Sequence, residues 1–166
     1  MPRVTLIALG SVIFCLLVIL NVGGYRYGVS DQAFYIPVVK QALNPSLFPH
    51  DAALLAAQNQ LFAFDNLFAP LIQFSGLTLP SAFLASYFIG LLVLYGATVA
   101  IGRSLYQSWW CVAALSAALT IRHRIPDTAV NTLEAYLHPR QLAFALGLVG
   151  VAVFLRRKTW LAVGAV

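Results

Sequence analysis

Apolar side chains run without a charge from Val4 to Leu20, VTLIALGSVIFCLLVIL, and stop at Asn21 and the Gly23-Gly24 pair. A run of that length predicts a helix that crosses a bilayer, whose hydrocarbon core of about 30 Å needs roughly 20 residues. Arg3 makes a secretory signal the rival reading, but the run outlasts the usual apolar core of a signal and no A-x-A site follows, so an uncleaved span is expected. Leu79 to Gly102 is a second uncharged run, with Pro80 near its first turn, where a missing N–H costs little. A third, Leu105 to Ile121, opens with Tyr106, Trp109 and Trp110, residues that favour the headgroup boundary. The fourth, Gln141 to Leu155, needs Pro139 and Arg140 at one end and Arg156 at the other to reach outward. After Arg156-Arg157-Lys158 the segment TWLAVGAV begins a further apolar stretch. The expected spans are 4–23, 79–102, 105–121 and 139–155, with the start of a fifth at 159–166, so the chain is expected to be part of a longer one.

The stretches between the spans are predicted to hold helices of their own. In the outer loop 24–78, Ser30 or Asp31 can start a short helix, and His50-Asp51 another through AALLAAQNQ. Phe64, Leu67, Phe68, Leu71 and Ile72 recur at helical spacing opposite Asp65 and Asn66, which predicts a helix lying along the membrane surface, broken or kinked at Pro70. In the second outer loop, 122–138, Asp127 can cap a helix with Val130, Leu133 and Leu137 as its apolar stripe and Asn131 and Glu134 on the wetter side. The fold class expected is all-α: a polytopic transmembrane helix bundle with interfacial helices in a long first outer loop. Gly90, Gly96, Gly147 and Gly150 are expected to let helices approach closely.

Composition agrees with the pattern. The 166 residues are 61% hydrophobic and only 9% charged, against about 45–50% and 25% in a soluble domain. Their net charge of +5 forms no basic stripe interleaved with aromatics, so no nucleic-acid partner is expected. With four crossings, Arg3, Arg103, Arg156, Arg157 and Lys158 share one face without an acid. Arg26, Lys40, Arg122, Arg124 and Arg140 share the other with all 5 acids: Asp31, Asp51, Asp65, Asp127 and Glu134. The dense basic face belongs in the cytoplasm and takes the N-terminus with it. Cys15 and Cys111 stand alone in apolar runs, so no disulfide, metal or cofactor is expected, and no nucleotide, dinucleotide or protease motif is present.

Candidate chemistry is confined to the outer loops. Asp31 has two open uses, a helix N-cap or a general base at the lipid boundary. His138, Pro139 and Arg140 precede the fourth span, where a helix N-terminus favours an anion and an arginine grips phosphate bidentately. Arg122 and Arg124 are further phosphate candidates, the alternative for all three arginines being interfacial anchors on membrane lipid; Asp51, Tyr35 and Glu134 are secondary polar candidates. No charge falls in the middle of a span, which argues against a proton relay or ion pathway.

The order of these features resembles the N-terminal part of the GT-C superfamily, polytopic membrane glycosyltransferases that use lipid-phosphate-linked sugars. The matching elements are Ser30-Asp31-Gln32 with Tyr35, then Pro49-His50-Asp51. The chain is also similar to bacterial membrane proteins of that kind carrying Tyr-Leu-His-Pro-Arg in the second outer loop, here Tyr136 to Arg140. The resemblance implies a bacterial inner-membrane protein that takes a sugar from a polyprenyl phosphate. Asp31 would be the base toward the acceptor hydroxyl, and His138 and Arg140 would meet the donor phosphate. Where many members have a second acid beside the first, this chain has Gln32, a departure that argues against a two-carboxylate or metal-assisted version. The other expectations are a noncatalytic small membrane protein or partner subunit and, third, a transporter fragment; no particular oligomeric state is implied.

Overall fold

A computed structural model describes residues 3–61, 63–124 and 131–156. The expected cap at Asp127, the stripe residue Val130 and the expected fifth span at 159–166 lie outside these residues. The described residues form helices α1 (Arg3–Val22), α2 (Gln32–Leu43), α3 (Ala52–Leu61), α4 (Ala63–Ser75), α5 (Leu79–Leu105), α6 (Trp109–Leu119) and α7 (Pro139–Leu155). Their only β pairing is an isolated antiparallel bridge between Arg124 and Asn131.

Two of the helices, α1 and α5, are long and apolar enough to cross a membrane. α1 buries Phe14 and Val18 while Val4, Leu9, Val12, Leu16 and Leu20 stay exposed, so its outward face is as apolar as its inward one. A surface of that kind suits hydrocarbon rather than water. The other two expected spans are shorter apolar helices. α6 has 11 residues, about 16 Å of rise, and α7 has 17, about 25 Å. The sequence run 105–121 does not become one long helix because both of its ends are tied off. Arg103 Nη1 donates to the carbonyls of Tyr106 and Gln107, closing α5. Ser108 then caps α6, its hydroxyl accepting from the Trp110 amide, and Thr120 Oγ1 donates to the Ala117 carbonyl at the far end.

The chain divides into two compact units. The first holds the described residues of Met1–Tyr25, Tyr87–Ala135 and Pro139–Val166; the second holds those of Arg26–Ser86 with Tyr136–His138. In the first, the Phe14 ring lies 5.4 Å from Tyr95, and Asn21 Nδ2 donates to both the carbonyl and the hydroxyl of Thr120, joining the ends of α1 and α6. Close helix approach is made at Gly90, where a Cβ would come within 2.9 Å of Leu142, and at Gly102 against Val112. Among the described residues, a Cβ at Gly96 or Gly147 would meet nothing within 4 Å.

Residues 131–138 do not form the helix expected of the second outer loop. Glu134 Oε1 accepts from the backbone and side-chain amides of Asn131, and the Thr132 amide donates to the His123 carbonyl. Such local bonds compete with a helical ladder, and Pro139 disfavours helical backbone at the residue before it. Glu134 is accordingly buried rather than on a wet face.

The second unit packs α2, α3 and α4 together with the first turns of α5. Its core is aromatic: Phe64 and Phe68 stand 4.3 Å apart, and Phe83 meets Phe68 at 5.0 Å and Tyr27 edge-on at 5.8 Å. Burial pushes the Tyr27 phenol up. α4 is continuous through Pro70, where a kink or a break was expected, so the helix is not broken there. One lost backbone bond is outweighed by the face that buries Phe64, Phe68, Ala69 and Ile72. α2 carries Pro37 in the same way.

Candidate functional site

The second unit brings together Asp31, Tyr35 and His138, three of the expected site residues. The construction starts in the backbone. Gly28 and Ser30 both take left-handed conformations, φ 76° and 52°, and turn the chain sharply into α2. Gln32, fully buried, accepts from the Gly28 amide at 2.7 Å and donates Nε2 to the Leu137 carbonyl at 3.1 Å. One side chain thus pins the turn before α2 to the strip 136–138. Within that strip Leu137 is fully buried.

Asp31 stands at the N-terminal boundary of α2, yet its carboxylate makes no capping bond. It turns instead to the strip, where Oδ2 lies 2.9 Å from His138 Nε2 and 3.5 Å from the Tyr136 hydroxyl. A carboxylate only accepts, so Nε2 carries the hydrogen and His138 is the donor. Among the described residues Oδ1 has no partner, and the Asp31 side chain is 45% exposed while that of His138 is 10% exposed. The carboxylate is therefore the outward group and the imidazole stands behind it. The Tyr35 ring meets His138 edge-on at 5.8 Å and leans on Phe64 at 5.7 Å, which fixes the plane of the imidazole.

The remaining expected site residues lie elsewhere. Arg122 and Glu134, both in the first unit, approach each other at 3.7 Å. Arg124 is exposed, and its backbone forms the bridge to Asn131. Arg140 is half-buried in the first turn of α7, with Pro139 as the first helical residue. Asp51 is exposed and its carbonyl accepts from the Leu55 amide at the start of α3. No group of three or more His, Cys, Asp or Glu side chains suited to a metal ion occurs among the described residues.

Two residues of the site, Tyr136 and Gln32, stand in the sequence motifs without a role assigned to them. Tyr136 was findable: the residue before a proline is biased to extended backbone, and in an extended strip positions 136 and 138 share one side. Gln32 was not, because its role depends on a carbonyl 105 residues away. Compared with protein-family models, curated proteins and solved structures, the chain matches none.

Proposed function

We propose that the protein is a membrane-embedded glycosyltransferase of the GT-C type, which moves a sugar from a polyprenyl-phosphate donor to an acceptor hydroxyl on the extracytoplasmic side. The observation that carries this reading is the Asp31 carboxylate: it makes no capping bond, accepts from His138 and Tyr136 through Oδ2, and is 45% exposed with no partner at Oδ1 among the described residues. In the reaction Asp31 takes the proton of the acceptor hydroxyl as its oxygen bonds to the sugar C1. The bond from C1 to the phosphate oxygen breaks, and polyprenyl phosphate leaves with that electron pair. His138 and Tyr136 are positioning residues that aim the carboxylate. Arg140, at the N-terminus of α7, is the candidate for an anionic phosphate group.

Membrane insertion is supported by the length of α1 and α5 and by the apolar outward face of α1. In this reading the chain lies in a bacterial inner membrane with its N-terminus in the cytoplasm. The test is transfer from a panel of radiolabelled polyprenyl-phosphate hexoses and pentoses by the protein in proteoliposomes. Asp31→Asn is expected to lower transfer by about 100-fold or more with expression intact. Undiminished transfer in that variant overturns the assignment of the base. Absence of transfer across the whole panel, with Asp31→Asn still supporting the protein's role in cells, shifts the reading to a noncatalytic membrane subunit.

A further inference from the structure

The first unit contains an open apolar cavity of about 450 Å³ between α1, α5 and α6, a volume within the range of small-molecule sites. Leu6, Ile13 and Leu17 form one wall, and Val99, Ala113 and Ala117 form much of the rest. Two of its hydroxyls are satisfied from within: Ser116 Oγ donates to the Val112 carbonyl and Thr120 Oγ1 to that of Ala117. No lining residue is charged.

One end differs. Trp109 and Trp110 both line it, and Trp110 is 85% exposed. The Arg103 guanidinium stands 4.7 Å from the Trp109 ring centroid. Only its Nη1 is engaged among the described residues, on the carbonyls of Tyr106 and Gln107. An apolar slot that ends at two indoles and a cation matches an amphiphile with a hydrocarbon tail and a negative head. Indoles favour the headgroup boundary, and arginine pairs with phosphate.

We infer that this cavity holds one acyl chain of an anionic membrane phospholipid, with the phosphate at Arg103. The inference rests on membrane insertion and is independent of transferase activity. It is tested in phosphatidylcholine proteoliposomes by electron paramagnetic resonance of chain-labelled phosphatidylglycerol and chain-labelled phosphatidylcholine. Wild-type protein is expected to immobilise phosphatidylglycerol about fivefold more than phosphatidylcholine, the preference one arginine gives. Ala117→Trp fills the slot and removes most of the immobilised signal of both probes. Arg103→Gln, at an exposed position, leaves chain immobilisation in place and makes the two lipids equal. Equal immobilisation of the two lipids by the wild type overturns the inference. So does a signal that Ala117→Trp leaves unchanged while dissociating a dimer in sedimentation, since the slot then belongs to a second copy of the chain.

Discussion

Asp31 shows how one side chain can be legible as important and illegible as to use. Its place at the start of a helix pointed to a cap, and its place behind an apolar run pointed to chemistry; both follow from local sequence. In the folded chain the carboxylate makes no cap and instead accepts from Nε2 of His138, 107 residues on. His138 was expected at a phosphate, and its donor is turned to Asp31. The two uses separate kinetically. As a positioning residue, His138→Ala lowers kcat about tenfold or more with little change in the donor KM, and His138→Gln, which keeps a donor, restores part of it; a donor ligand would lose KM instead. Gln32 carries a structural prediction. Gln32→Leu leaves the Gly28 amide and the Leu137 carbonyl without their partner and is expected to cost about 1–3 kcal/mol, read as a lower unfolding midpoint in detergent.

The helices followed their hydrophobic runs most faithfully where nothing else competed for the backbone. α1 and α5 coincide with the two long uncharged stretches, and α5 continues to Leu105, a turn beyond Gly102. α6 is shorter than its apolar run because Ser108 and Thr120 supply hydrogen bonds that end it. The Leu133 and Leu137 spacing failed as a helix signal, since both residues are buried from a non-helical strip. A period reports which residues face a core and leaves their backbone open. Glycines of one helix make the same point. Gly90 lies against Leu142 and Gly96, among the described residues, against nothing, so substitutions at the two positions should act in opposite directions. Gly90→Val is expected to destabilise by about 1–3 kcal/mol through overpacking. Gly96→Ala is expected to stabilise by up to about 1 kcal/mol through helix propensity. Thermal unfolding of the two variants in the same detergent checks the contrast.

For the whole molecule the strongest statement concerns solvent. With 61% hydrophobic residues and 9% charged, the chain cannot cover itself in polar surface, and the exposed apolar face of α1 is where that shortage appears. The proposed orientation has a direct test: in a Cys111→Ser background, Ser46→Cys should react with a membrane-impermeant maleimide in intact cells, and Gln107→Cys only after permeabilisation. Both positions are exposed, so access depends on the side of the membrane alone, and the opposite pattern reverses the topology. Hydrophobic pattern and composition were enough to reach a helical architecture for the described residues and the two apolar helices of crossing length, because these depend on periodicity and on transfer of side chains from water; the two further crossings they also predicted are shorter helices. The cap that Asp31 does not make, the pairing of Gln32 with Leu137, the strip that presents Tyr136 and His138, and the apolar slot beside Arg103 came only with the folded chain. Each depends on packing or hydrogen bonding between elements that the fold brings together, and no local window carries that information.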